Sequence, residues 1–422
     1  MQVTTKIGEI SLNISEVLNR SSMKGSVLLT GTMDEGRRKI AVKKVVDSIT
    51  NYKEVEKLIR LSKEKQHENV VRYYLVEHEK PYYYIALEWC HGTLEDFVEN
   101  KHFDRGGLTD IEVARQITSG LKHIHSCDVF HLDLKPSNVL ITKANDTEKR
   151  VVITDFDVSK HSEGGKSLRT FTFSGSEGWI APEVSVINYQ YHLSSKVDIF
   201  ALGCLFYYIV TRGLHPFYDQ PNFDNRVCQK NISLYAKEEY SLKLPGLDNK
   251  SQIGVLSDDL LVQLLDKHPK QRPDASTCLQ HPVFWDSLKK RKFLEASGDL
   301  LREDSYNHFH QRLEKNSRIV IGSEWEVGDP VKELASSSNY QKKFLSDLLL
   351  FVRDQYAHLW KQRDVAPALH SNTYGEYNLL EDVNRRYPSF LQHIYHAAVP
   401  WRNEDKFKEF YPKDDAYIKV FD

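Results

Sequence analysis

The hydrophobic rhythm of the chain changes near residue 92. Before it, apolar and polar residues alternate in short runs, such as KIAVKKVV (39–46) and YYYIAL (82–87). That two-residue period predicts strands, so residues 10–90 read as β-rich, interrupted by one helical pattern at 51–65. Beyond residue 92 the pattern turns helical, over 94–98, 111–125 and 197–210. The stretch HPVFWDSLKKRKFLEASGDLLRED (281–304) reads as one helix running past the end of this region, with a domain boundary near Asp286. The expected class is therefore α+β: a small lobe at 1–88, a larger helical lobe at 89–287, and a further all-α domain at 288–422.

Length and charge narrow the function classes. A chain of 422 residues exceeds the size at which a single core stops growing, so two or three domains are expected. The net charge of −2 provides no global basic field for nucleic acid or acidic lipid, so any phosphate chemistry needs a local site. Cys90, Cys127, Cys204, Cys228 and Cys278 are odd in number and contain no CxxC pair. This pattern argues against a disulfide framework or zinc site and fits a reducing compartment. The first 14 residues lack a signal-peptide core, and the longest apolar run, 199–210, spans 12 residues. That run is too short for a bilayer and reads as a buried helix, so no membrane contact by this chain is expected.

Four short motifs follow one another in order. Ile40-Ala41-Val42-Lys43 is an apolar strand ending in lysine, and HLDLKPSNVL (131–140) carries Asp133, Lys135 and Asn138. Asp155-Phe156-Asp157 follows the apolar run at 151–154, and Ala181-Pro182-Glu183 begins 26 residues after Asp155. Together, and with Asp198 and Arg272 behind them, they resemble a protein kinase over residues 8–285.

That resemblance implies ATP or ADP with Mg2+ as the ligand. Lys43 is then the clamp on the α and β phosphates, held by Glu54, with Glu56 as the alternative register. Asn138 and Asp155 are the magnesium ligands, since that ion prefers hard oxygens. Asp133 orients or deprotonates a hydroxyl, and Lys135 neutralises the transferring phosphate. Glu88, Trp89 and Cys90 form the hinge whose backbone meets adenine. Three departures predict weak or regulatory phosphotransfer: only Gly25 remains in the glycine-loop region 17–27, Leu132 replaces an arginine, and Asp157 replaces a glycine. Ser162, Ser167, Thr170, Thr172 and Ser174 are possible phosphorylation sites in a polar loop.

Residues 288–413 lie outside any ordinary kinase. GSEGWIAPE (175–183), YYYIALEWCHGTLEDFVE (82–99) and HPVFWDSL (281–288) resemble the inositol-requiring enzyme of the unfolded-protein response and its relative ribonuclease L. The tail resembles their helical endoribonuclease domain in RLEKNSRIVIGSEWEVGDPVKEL (312–334), NYQKKFLSDLLLFVRDQYAHL (339–359) and YPSFLQHIYHA (387–397). The resemblance implies an RNA substrate, cleavage without a metal, a homodimer or higher homo-oligomer, and gating by nucleotide. It also implies a cytoplasmic location, or the cytosolic face of the endoplasmic reticulum if the parent is anchored there.

Carried over residue by residue, the ribonuclease site falls on Tyr340, Arg353 and His358, with Asp347 and Trp325 in support. Histidine suits the acid for the departing 5′-oxygen, arginine the phosphate, and tyrosine the base. Asp354 departs from the family's asparagine and is expected to compete for the Arg353 guanidinium. Periodicity places Leu345, Leu348, Leu349, Val352, Tyr356 and Leu359 on one stripe and Asp347, Asp354 and His358 opposite, where they also read as a solvated face. Arg353 lies about 140° from His358 around a helix, so a helix end or loop is expected to bring them together. From residue 291 onward there are 19 Lys and Arg against 21 Asp and Glu, so RNA affinity from counterion release is expected to be modest. Two other readings remain open: a protein kinase with a docking tail, and a nucleotide-binding scaffold without catalysis.

Overall fold

The computed structural model describes residues 4–20, 26–47, 66–144, 148–156, 158–162, 168–170, 175–185, 191–218, 220, 222–303, 307–329, 331–337, 339–362 and 378–412. The expected helix at 51–65, with Glu54 and Glu56, lies outside them, as do Gly25 and Asp157. The fold is mixed α+β: strand-rich at the start, helical afterwards. The chain divides into two compact units, Met1–Lys243 with Lys267–Lys270, and Leu244–Asp266 with Gln271–Asp422.

In the first unit six antiparallel strands pair in the order β1 (Thr4–Ile7), β2 (Ile10–Arg20), β3 (Val27–Met33), β4 (Arg38–Val46), β6 (Tyr82–Glu88), β5 (Tyr73–Glu79). Ile10, Leu12, Leu29, Ile40, Val42 and Ala86 bury one face of this sheet. Register puts Lys43 between Leu28 and Ile85, so the lysine stem lies among apolar neighbours. The helix Asp110–Ser126 starts where Thr109 accepts from the Glu112 amide, and it buries Val113, Ala114, Ile117, Leu121 and Ile124 at helical spacing. Helix Ser195–Val210 contains the long apolar run and is buried almost all round. Among the described residues, no helix is long and apolar enough to cross a membrane.

The second unit is helical. The predicted helix over 281–304 is corrected: Pro282–Phe284 forms a 3-10 turn, Trp285 is extended, and the α-helix runs Ser287–Leu300. The cause is local. Asp286 accepts from the Lys289 amide as an N-cap, and the Trp285 indole donates to the Gln280 carbonyl at 2.7 Å. Phe293, Tyr395, Phe407, Phe410 and Tyr411 then gather around Trp285 to form an aromatic core.

The helix Leu345–Gln362 buries Leu345, Leu348, Leu349 and Val352 as the stripe predicted, and Phe351 as well. Phe351 is recruited by Trp325 and Tyr340, whose rings lie 5.6 and 5.5 Å from it. This helix is unbroken from residue 345 to 362, which corrects the expectation of a helix end or loop between Arg353 and His358. Both residues project from one helix, five positions apart; the His358 side chain lies outside the described residues.

Candidate functional sites in the two units

In the first unit the loop carrying Asp133 hangs on a buried carboxylate. Asp198, 1% exposed, accepts from the amides of His131 at 2.8 Å and Leu132 at 2.7 Å, and from His125 Nε2 at 2.9 Å. Burial pushes its pKa up, but the His125 hydrogen bond and the neighbouring donors hold it below the ordinary carboxylate range. His131 Nε2 donates to the Thr154 carbonyl at 2.9 Å, while its Nδ1 accepts from the Asp133 amide at 3.3 Å. Those two bonds fix the orientation of the ring. Leu132 and Asp155 adopt left-handed backbone conformations, with φ of 67° and 63°, which cost about 1–3 kcal/mol each and persist because this framework holds them.

On that framework Asp133 meets three donors. Its Oδ1 accepts from the Ser176 amide at 2.8 Å, and its Oδ2 from Asn138 Nδ2 at 3.1 Å and Lys135 Nζ at 2.9 Å. Lys135 also donates to Ser176 Oγ at 2.6 Å, tying the segment after the polar loop to the catalytic-type loop. Lys43 Nζ lies 3.1 Å from Asp155 Oδ1. Burial raises the Asp155 pKa, but Lys43 beside it prevails and holds the carboxyl below its usual range.

The donor set fits a nucleotide with magnesium. Lys43 and Lys135 supply two ammonium groups, each paired with a carboxylate, and Asp155 supplies a hard oxygen. Because the Asn138 amide nitrogen is used on Asp133, its oxygen remains the natural metal ligand. The Glu88 side chain is engaged by Arg150, and its amide donates to the Arg72 carbonyl at 2.9 Å. Burial pushes the Cys90 thiol up to about 12, leaving it inert. Lys39 stacks on Trp89 at 3.7 Å from the ring centre. Ser162 is corrected as a possible phosphorylation site: it is fully buried, with its amide donating to the Asp128 carbonyl at 2.7 Å.

The second unit brings Tyr340 and Arg353 to one carboxylate. Tyr340 Oη donates to Asp354 Oδ2 at 2.7 Å, and Arg353 Nη1 donates to Asp354 Oδ1 at 2.9 Å. Arg302 Nη2 grips both Asp354 oxygens, at 2.5 and 2.7 Å. On its other side Arg353 meets Asp299 Oδ1 through Nε at 2.8 Å and Nη2 at 2.6 Å. Asp354 is therefore only 15% exposed, which corrects its placement on a solvated face. Helical periodicity sees one helix; Arg302 and Tyr340 arrive from elsewhere and cover that face.

Packing sets this geometry. A Cβ at Gly298 would stand 2.8 Å from Arg353 Cβ and 2.9 Å from its Cγ, so only glycine lets the two helices approach there. Trp325, fully buried, packs at a tilt against Phe351 and edge-on to Tyr340. Asp347 accepts from the Gln341 amide at 2.5 Å and so shapes the turn that delivers Tyr340. Burial and the Asp354 hydrogen bond both raise the Tyr340 pKa, making the phenol a proton donor in this arrangement. Burial acts to raise Asp354 too, but Tyr340, Arg353 and Arg302 hold it ionised. Burial disfavours the Arg353 charge, and the two aspartates outweigh that effect.

Two family models match the chain: the protein kinase domain over residues 24–284, and ribonuclease 2-5A over residues 290–411. The serine/threonine-protein kinase/endoribonuclease ire-1 of Caenorhabditis elegans is 34% identical, over 96% of this chain and 41% of its own length. The serine/threonine-protein kinase/endoribonuclease IRE2 of Homo sapiens is 33% identical, over 97% and 43%. The sensor for unfolded proteins in the ER ire1 of Schizosaccharomyces pombe is 30% identical, over 92% and 38%. The chain thus spans about two-fifths of the length of the curated relatives it matches.

Proposed function

This chain belongs to the family in which a protein-kinase fold is joined to a ribonuclease 2-5A domain, and on that premise we propose that it is a nucleotide-gated endoribonuclease. The observation that carries this reading is the meeting of Tyr340 and Arg353 on one carboxylate, on the helix that also bears His358. A phenol, a guanidinium and an imidazole are the groups that metal-free RNA cleavage needs. We take the domains as 1–287 and 288–422.

The chemistry closes on the RNA itself. Once Tyr340 has released its proton to solvent, the 2′-oxygen attacks the adjacent phosphorus as its own proton passes to the Tyr340 phenolate, and the bond to the 5′-oxygen breaks. His358 protonates that oxygen while Arg353 stabilises the charge on phosphorus. The products carry a 2′,3′-cyclic phosphate and a 5′-hydroxyl. The raised Tyr340 pKa makes this phenol a poor base while Asp354 holds its proton, so the arrangement described is a resting one.

Lys43, Asn138 and Asp155 are the residues for ATP or ADP and magnesium, and the ion supplies charge neutralisation to the phosphates. Filling that site favours pairing of two chains, and the pair forms the RNA-cleaving unit. Asp133, Lys135 and Asn138 are braced together, which favours residual Ser/Thr phosphotransfer as a second activity. The working location is the cytosol, at the endoplasmic reticulum when the parent is anchored there, in keeping with the printed name of the S. pombe relative.

The test is cleavage of a labelled stem-loop RNA over a series of protein concentrations, with and without ADP. Specific activity that climbs with concentration, and climbs earlier with ADP, supports gating by pairing. Activity that is flat in both variables removes the gating, and no cleavage at any concentration removes the endoribonuclease.

A further inference from the structure

Three donors from three separate stretches of chain converge on Asp354: Tyr340 Oη, Arg353 Nη1 and Arg302 Nη2, all within 2.9 Å of its two oxygens. A paired set of anionic oxygens held by a phenol and two guanidiniums is the environment of a bound phosphodiester. Here a side chain of the protein fills it. We infer that Asp354 occupies the position an RNA phosphate takes in the reactive complex, and that Arg302 is a phosphate-binding residue of that site. The inference rests on the RNA-cleaving function proposed above and adds to it a competitor and a ligand-binding residue.

Charge and geometry both favour exchange. With Asp354 in place, two arginines face two aspartates and the site offers an incoming phosphate no net attraction. When Asp354 withdraws, two guanidiniums and a phenol are left facing one anion-sized gap. Arg353 keeps its direction through that exchange, because Asp299 holds Nε and Nη2 and leaves Nη1 for the ligand. Arg302 is 51% exposed, so its end of the site opens to solvent and its side chain can follow a ligand.

The test uses the full chain and a mixed-sequence 2′-O-methyl oligonucleotide, which lacks the nucleophile and cannot be cut. Asp354→Asn is expected to bind it about tenfold more tightly at low salt, with a log–log salt slope steeper by about 0.7 for one added phosphate contact. Asp354→Ser, read beside it, is expected to gain likewise, and thermal melting identifies any variant that is not folded. Arg302→Ala placed on Asp354→Asn is expected to return both affinity and slope to the starting values. Asp299→Asn removes an equal charge from the other side of Arg353, and its gain is expected to stay below about threefold. An equal gain in Asp299→Asn, or none in folded Asp354→Asn and Asp354→Ser, overturns the inference. The probe separates this from the function it rests on. Tighter binding with no cleavage of ordinary RNA by any variant keeps the phosphate site and ends the ribonuclease reading; cleavage by the unaltered chain with no gain in binding does the reverse.

Discussion

In the first unit Asp133 receives a backbone amide, a side-chain amide and an ammonium, and the loop beneath it hangs on Asp198 through two more amides. In the second unit Asp354 receives two guanidiniums and a phenol, all of them side chains. A backbone-braced carboxylate keeps its place when one neighbour is removed, because backbone amides cannot rotate away. A carboxylate braced by side chains depends on every member of the set and can be exchanged for another anion. Burial is the second variable. Asp259 is also held by side chains, His281 Nε2 at 3.0 Å and His396 Nε2 at 3.1 Å, yet it is only 5% exposed and so closed to an anion from solvent. Exposure of a partner, as at Arg302, is what separates a site from a staple.

Substitutions test that contrast. The largest effect on activity is expected from Arg353→Ala, which breaks the chain of charges from Asp299 to Asp354. RNA cleavage should fall about 10²–10³-fold in kcat/KM, as on loss of a donor to the reacting phosphate, while nucleotide affinity measured by calorimetry stays unchanged. Loss in both would mean the units are not energetically separate.

Next is Asp259→Ala, which leaves two buried imidazole N–H groups facing a void. A loss of about 3–5 kcal/mol in unfolding free energy is expected. Burial pushes the Asp259 pKa up, but hydrogen bonds from His281 and His396 hold it well below the ordinary value. A depressed carboxylate contributes its full stability above the unfolded pKa, near ~3.9, and loses it only as pH falls toward the folded value. The melting difference between the chain and Asp259→Ala should therefore narrow only below about pH 4; narrowing between pH 7 and 5 would put the effect elsewhere.

A smaller effect is expected from Lys43→Met. It removes a charge-assisted contact to phosphate of about 1.5–3 kcal/mol, so nucleotide affinity should drop about 10–100-fold. The Asp133 bracing is untouched and melting should hardly move. The smallest is Gly298→Ala. Helix propensity favours alanine by up to about 1 kcal/mol, offsetting the crowding of Arg353, so stability should change little. Cleavage should nonetheless fall several-fold, at about 3–10, because the guanidinium is displaced. A fall in melting temperature without a fall in rate would show that the contact serves packing only.

The same contrast governs what could be read from the letters. Asp133, Lys135 and Asn138 stand in one short motif because one loop carries them, so their spacing along the chain reports spacing in the fold; Lys43 inside β4 and Asp155 beyond the strand Glu148–Ile153 are each marked by a short motif of their own. The β-rich start was legible from its two-residue period, and the buried helix from the length of the apolar run at 199–210. Ser176 was missed, although it lies beside the motif, because its amide to Asp133 is one that any residue supplies and its hydroxyl meets Lys135 only in the fold. Asp299 and Arg302 were invisible, since they come from a helix end more than 50 positions before Asp354 and obey no spacing rule. The competition of Asp354 for Arg353 was foreseeable from charge; its bonds to Tyr340 and Arg302 required the tertiary fold. The helix expected over 281–304 failed at Asp286, a residue that caps a helix better than it continues one.

The most direct measurement is the chemistry of the ends left on an RNA incubated with the chain in EDTA, beside His358→Ala. The account predicts 3′ fragments that begin with a 5′-hydroxyl and 5′ fragments that end in a 2′,3′-cyclic phosphate, formed without metal and nearly absent in the variant. Cleavage that EDTA abolishes, ends of the opposite polarity, or an unchanged rate in His358→Ala would contradict it.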